Sequence, residues 1–177
     1  DISATISKGN LGNQPIADGK IDLSYRNGAL TIRQFRIPVG TGLLAAEGAT
    51  TPQGGLDIQM AAKDMNLSWV PQVLGRKDVQ MNGSLTAGIK LSGTKDKPTA
   101  DISIGVDNPS YNGTGFDSMS VMGLITQGKV FIQHGLVVTG TSKAPMYGTM
   151  PINEFTRVNT ADAAPMILDI NLDTDDI

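Results

Sequence analysis

Leu85-Thr86-Ala87-Gly88-Ile89-Lys90-Leu91 decides the fold class of this chain. Apolar side chains stand at 85, 87, 89 and 91, with polar or small residues between them. Successive side chains of a β-strand point to opposite faces, so this segment reads as a strand with one apolar and one polar face. Beyond a break at Lys97-Pro98 the alternation returns at Ile102, Ile104 and Val106.

The same period runs outward in both directions. Upstream lie Ile2, Ala4, Ile6, then Ile21, Leu23, Tyr25, then Leu56, Ile58, Met60 and Val79, Met81, Gly83. Downstream lie Met119, Val121, Gly123, Ile125 and finally Leu168, Ile170, Leu172. Asn27-Gly28, Asn82-Gly83 and Asn112-Gly113 read as tight turns, because both residues tolerate positive φ, and Gly54-Gly55 marks a further break. The spacing predicts a mainly β architecture with antiparallel neighbours. One segment departs from it. Trp69, Val70, Val73 and Leu74 recur at helical spacing, with Asn66 or Ser68 as cap, Pro71 in the first turn and Gly75 as stop, which predicts a short helix near 67–74.

Composition excludes several functions. The 177 residues hold no Cys, one His and a net charge of -3. Disulfides, thiol nucleophiles and Cys-bound zinc are therefore ruled out, and the charge argues against nucleic acid as partner. No apolar run approaches the length of a membrane-spanning helix. The opening Asp1-Ile2-Ser3-Ala4 carries no Met and no basic leader, and Leu172 runs into Asp173-Thr174-Asp175-Asp176 without a stop. The chain is thus expected to be a segment, 1–177, of a longer repeat protein.

A shift of 100 residues superimposes the stretch after Asp18 on the stretch after Ser118. Gly28 meets Gly128, Ile32 meets Ile132, Ile37 meets Val137, Gly40-Thr41 meets Gly140-Thr141, and Gly48 meets Gly148. An internal repeat, 18–60 and 118–172, follows, of the kind in which each unit buries its face against its neighbours.

Catalytic signals are lacking. His134 has no His or Cys beside it to share a metal, and reads as a surface strand residue. Gly40-Thr41-Gly42 and Gly113-Thr114-Gly115 lack the strand–turn–helix context of a dinucleotide site and read as loops. Asp169, Asn171 and Asp173 resemble a calcium loop, but Thr174 stands where that loop needs Gly, so they read as one solvated strand face. The sequons at Asn66, Asn82 and Asn112 are turn chemistry. The expectation is no enzyme, no cofactor and no metal.

The apolar positions are aliphatic. Four Phe, three Tyr and one Trp stand against eight Met. Flexible Met and small aliphatics line adaptable apolar surfaces, and glycines at 83, 88, 105 and 123 favour a curved sheet. A long sheet curling around its apolar face makes a trough.

Asn82-Gly83-Ser84-Leu85-Thr86-Ala87-Gly88-Ile89-Lys90-Leu91-Ser92-Gly93-Thr94, leading into Lys97-Pro98-Thr99-Ala100-Asp101-Ile102-Ser103-Ile104, resembles a repeating unit of the TamB family. Phe116-Asp117-Ser118-Met119-Ser120, Gly128-Lys129-Val130-Phe131-Ile132 and Met146-Tyr147-Gly148-Thr149-Met150-Pro151 continue the likeness in order, over most of 20–172. TamB is the inner-membrane subunit of the translocation and assembly module, related to AsmA-like, bridge-like lipid transfer proteins. The resemblance implies a β-taco, an open U-shaped sheet with an apolar groove inside and a polar outside. It implies a segment of a periplasm-spanning bridge, in a diderm bacterium, whose groove carries phospholipid acyl chains between inner and outer membranes. The full-length protein would be anchored in the inner membrane, with an outer-membrane Omp85-type, TamA-like barrel as partner through parts outside this segment.

The groove residues expected on this basis are Ile21, Leu23, Leu30, Ile32, Ile58, Met60, Leu85, Ile89, Leu91, Ile102, Ile104, Val121, Val130, Ile132 and Ile170. The bland alternative for each is a closed β-core. Leu30 and Ile32 differ in parity from Phe35 and Ile37, which predicts a bend or bulge at Arg33-Gln34. A second function stays open: a scaffold or chaperone for outer-membrane β-barrel assembly or secretion, acting by strand addition. A third, a sugar-binding or adhesive solenoid, is disfavoured by the few aromatics.

Overall fold

The computed structural model describes residues 1–11, 14–73, 75–76, 78–151 and 167–170. Leu74, Asn171, Leu172 and Asp173, to which a helix end, a calcium-loop likeness and a last alternating strand position were assigned above, lie outside them.

The described residues form one open, antiparallel sheet of fourteen strands. In chain order these are β1 (Ile2–Ile6), β2 (Gly9–Leu11), β3 (Gln14–Ile16), β4 (Gly19–Arg26), β5 (Ala29–Val39), β6 (Gly42–Thr50) and β7 (Gly55–Asn66). A 3-10 turn (Leu67–Trp69) and α1 (Val70–Val73) follow. Then come β8 (Met81–Thr94), β9 (Lys97–Tyr111), β10 (Thr114–Gly115), β11 (Ser118–Thr126), β12 (Lys129–Thr139), β13 (Ser142–Pro151) and β14 (Ile167–Ile170). The main path runs β1-β4-β5-β6-β7-β8-β9-β11-β12-β13-β14, almost all next neighbours in sequence. The small β2–β3 hairpin joins it where Ile16 pairs with Val39. Neither this hairpin nor the two-residue β10 was signalled by alternation, because both are too short to show a period.

The turns follow their chemistry. Asn27-Gly28, Asn112-Gly113 and Gln127-Gly128 each combine positive φ at both residues, the requirement of a two-residue hairpin. Asn82-Gly83 corrects the expectation: it lies inside β8. There β9 bulges at Asn108 (φ 48), and a Cβ on Gly83 would stand 2.9 Å from Val106 Cγ1 and 3.1 Å from Pro109 Cα. Gly83 makes room for the bulge instead of turning the chain. Likewise Lys97-Pro98 opens β9 and Gly40-Thr41 is a hairpin turn whose Gly42 begins β6. Asn66 caps the helical turn, its Oδ1 accepting from the Ser68 N–H at 2.8 Å.

The register shifts at Arg33-Gln34, where β5 passes between Ile32 and Phe35. β12 shifts at Gln133-His134, between Ile132 and Gly135. Strands β5 (29–39) and β12 (129–139) thus share bounds and bulge at an offset of 100 residues, and Gly40 (φ 58) and Gly140 (φ 57) turn alike after them.

Gly48, at φ 135, faces the bulge in β5, and a Cβ there would collide with the Asp57 carbonyl oxygen and stand 2.6 Å from Ile58 Cα. Gly48→Ala should lower unfolding free energy by about 1–3 kcal/mol in urea titration. Gly105→Ala, whose Cβ would meet only the Thr86 carbonyl oxygen at 3.9 Å, should stay within about 0.5 kcal/mol. Equal costs at both positions would refute a backbone requirement at Gly48.

Candidate functional site

Residues paired across an antiparallel ladder share a face, so register alone assigns every strand position. One row runs Leu23, Ile32, Gly48, Ile58, Leu91, Ala100, Ile125, Val130 and Met150. The next runs Ile21, Phe35, Ala46, Met60, Ile89, Ile102, Gly123, Ile132 and Gly148. A third holds Ile37, Leu44, Ala62, Ala87, Ile104, Val121, Gly135 and Met146, with Ile170 in backbone register with Met146. Leu85 begins a fourth with Val106, Met119 and Val137, and Leu30 lies beyond the first row beside Tyr25. Fourteen of the fifteen positions named from the sequence therefore fall on one side of one sheet, and the fifteenth, Ile170, is placed by backbone register alone. From β4 to β13 that side extends roughly 38 Å, at about 4.8 Å per strand.

Burial differs along it. At the end where β5 turns into β6, Ile37, Val39 and Met65 form a buried cluster. Leu11 and Ile16 of the β2–β3 hairpin and Trp69 of the 3-10 turn pack against it. We call this the capped end. In the middle of the sheet the same face is open: Met60 is 38% exposed and Ile89 36%. Toward the opposite rim Ile2 and Tyr25 are 62% and 65% exposed. Trp69 is thus a plug at one end of the apolar face. Its Nε1–H is buried and has no hydrogen-bond partner among the described residues, so its contribution comes from ring packing, reduced by an unmet donor.

The other face is polar from β4 to β9. A hollow of about 890 Å³ is lined by Arg36, Ala45, Ala61, Gly88, Ser103 and Met122 on one row and Glu47, Gln59, Lys90 and Asp101 on another. The apolar-face row Phe35, Ala46, Met60, Ile89 and Ile102 lies between them, the pattern of a depression floored by the backbone of that row. Small residues on the first row make the space. Arg33, brought to this side by the bulge, donates from Nε and Nη2 to both Asp22 carboxylate oxygens at 2.9–3.1 Å. That hydrogen bonding, more than charge alone, holds the Asp22 carboxyl below its ordinary pKa and raises the Arg33 guanidinium.

The polar character ends at β11. Leu124 pairs with Phe131, and Leu136 with Pro145, on the side opposite Val121 and Val130. Met122 and Tyr147 on that side are 55% and 44% exposed. Alternation missed this second apolar surface because Val130-Phe131-Ile132 and Leu136-Val137-Val138 are continuous apolar runs, which carry no face information.

Among the described residues no group of three or more His, Cys, Asp or Glu could hold a metal ion, and no helix is long and apolar enough to cross a membrane. His134 is exposed on β12, paired with Met122. Compared with protein families, curated proteins and solved structures, the chain matches none.

Two outcomes test this geometry. Trp69→Ala should cost about 2–4 kcal/mol in urea unfolding, as removal of a large ring from a packed cluster; an unchanged midpoint would show that the capped end does not depend on it. The Asp22 carboxyl should titrate by NMR below an ordinary Asp, and Arg33→Gln should move its midpoint upward. The stabilisation this pair supplies is present above the unfolded carboxyl pKa and is lost as pH falls through the folded one.

Proposed function

We propose that this chain is a segment of a periplasm-spanning bridge whose apolar face carries phospholipid acyl chains between the inner and outer membranes. The sheet curls so that this face lines an open, U-shaped groove, a β-taco as in the TamB-like proteins the sequence resembles. One observation carries the reading: an aliphatic face that continues from β4 to β13 without a charged side chain in its register rows, and that lies open at Met60 and Ile89. A closed core would cover these residues.

The physics suits sliding transfer. Each buried methylene contributes about 0.8 kcal/mol, so a long acyl chain fully withdrawn from water gains on the order of 10 kcal/mol. Adjacent aliphatic rows offer similar sites, so movement from one to the next costs little. No catalytic group and no cofactor is needed. The hollow on the polar face is a poorer acyl site, because Asp22, Arg33, Glu47, Lys90 and Asp101 border it and would lose hydration. The parent protein is anchored in the inner membrane and meets an outer-membrane Omp85-type barrel through parts outside these residues.

A second reading has one observation in its favour. β1 is the last strand of the path, paired among the described residues with β4 only, and its residues are mostly exposed. A free edge accepts an incoming strand, the mode of a scaffold or chaperone for β-barrel clients.

Photo-crosslinking side chains placed at successive positions separate the two. Lipid should be captured at 89, 91 and 102 and spared at 90 and 101, whereas client peptides would be captured along β1. Ile89→Arg, at an exposed position, should fold normally by circular dichroism and lose most lipid in native mass spectrometry; Ile104→Asp should act in the same direction. Capture on both faces alike, or no lipid at any concentration, would overturn the groove.

A further inference from the structure

We propose that the outer face of β11–β13 docks one amphipathic helix of a partner protein, its apolar stripe lying along Phe131 and its acidic ends opposite Lys129 and Lys143. The inference goes beyond the acyl groove and does not rest on it, since it concerns the opposite side of the sheet. Strands β4–β6 and β11–β13 have bounds that agree to within one residue at an offset of 100, and β5 and β12 bulge at the same place. Their outward side chains differ. Asp22, Ser24, Thr31, Arg36 and Glu47 on the first trio stand where Met122, Leu124, Phe131, Leu136 and Tyr147 stand on the second. Even the Asp22–Arg33 ion pair is replaced, by Met122 and Gln133. The same arrangement of strands is built with a polar outer face in one place and an apolar one in the other, so folding does not demand the apolar residues. Met122 at 55% exposure and Tyr147 at 44% keep apolar surface in water, which marks a contact surface.

Charge and dimensions select the occupant. Residues 118–151 contain no Asp or Glu, and their two lysines stand at opposite ends of the patch. Lys129 shares a row with Thr126 and Pro151, beyond Leu124 and Phe131; Lys143 shares one with Ser118 and Val138, beyond Leu136. Both are exposed and form no ion pair among the described residues. Asp117, near the Lys143 end, accepts from the Gly140 N–H at 2.6 Å. From Lys129 to Val138, with one bulged residue discounted, β12 advances about 26 Å, the length of about five helical turns. Across the strands the patch spans two spacings, about 10 Å, the width of one helix. Its area is then on the order of 300 Å², well under the roughly 800 Å² per partner of a stable globular complex. A twofold pairing with a second copy sets lysines against lysines, with no acid on these strands to answer them. An anionic bilayer is broad and would also meet Asp101 and Asp107, which continue the Leu124 and Ser118 rows onto β9. A single helix with acidic ends is narrow enough to miss them and lays its apolar stripe on the aliphatic and aromatic side chains between the lysines.

The test uses the folded chain and a labelled helical peptide of about 20 residues, with leucines along one stripe and glutamates at both ends, read by fluorescence anisotropy. It should bind about tenfold more tightly than the same peptide ended by lysines, with the preference shrinking at high salt. Met122→Asp/Phe131→Thr/Tyr147→Glu, which places on the second trio the residues of the first, should weaken this binding about tenfold with an unchanged circular-dichroism spectrum. Lys129→Glu/Lys143→Glu, at exposed positions, should reverse the preference toward the lysine-ended peptide. Equal binding of the two peptides by the unaltered chain, or binding left intact by the triple variant, would overturn the inference. So would a dimer, or adhesion to phosphatidylglycerol vesicles, that the triple variant abolishes, since the patch would then belong to a second copy or to a membrane. None of these outcomes touches lipid capture at 89, 91 and 102, which lie on the other face.

Discussion

Everything in this molecule depends on the phase of the antiparallel ladder. A strand alternates with a period of two, so a slip of one residue sends its apolar side chains to the wrong side. The chain changes phase within single strands, and at each change the backbone adds a residue. Leu30 and Ile32 are even, Phe35 and Ile37 odd, and the register shifts between them. Val130 and Ile132 give way to Gly135 and Val137 in the same manner. Ala62 passes to Met65 in β7, and Val106 to Tyr111 in β9, across the further shifts. With these insertions the apolar rows remain unbroken, and what the bulge extrudes at Arg33 becomes half of an ion pair on the polar face.

A single face of this length is unusual in having little to cover it. The β2–β3 hairpin, Trp69 and the turn after β7 close one end, where Val39 and Met65 reach 2% and 1% exposure. Elsewhere most aliphatic side chains of this face are part-exposed, although Ala100, Val106 and Val130 are buried. Apolar surface left in water is a standing cost, so a groove with a hydrocarbon occupant and a sheet with a packing partner are the two ways to remove it. The aliphatic composition favours the first, since Ile, Leu and Met conform to a flexible chain better than rings do. The outer face of β11–β13, with Leu124, Phe131, Met122 and Tyr147, is a second such surface.

Much of this was legible in advance where local chemistry is decisive. Period two identified the long strands β4, β7, β8, β9 and β11, and Asn27-Gly28 and Asn112-Gly113 became hairpin turns because only positive φ closes such connections. The bulge at Arg33-Gln34 was visible as a parity change. Less was legible where a distant partner decides. Asn82-Gly83 has the same local signal as the other two pairs, yet it lies within β8, because the bulge at Asn108 on the neighbouring strand needs the space its missing Cβ leaves. The charged hollow on the polar face had no counterpart in the sequence reading either, since Arg36, Ala45, Ala61, Gly88 and Ser103 are far apart along the chain and meet only through register.

The amino-acid sequence by itself determined that this is a sheet, that its strands are mostly joined to their sequence neighbours, and that its interior is aliphatic and free of Cys. These follow from side-chain period, turn dihedrals and composition, which act over a few residues. Only the tertiary structure decided that the separate apolar stripes merge into one face and which end of it is closed. Those depend on cross-strand register and on where Trp69 and the first hairpin land, and register is a property of pairs of strands that no single segment contains.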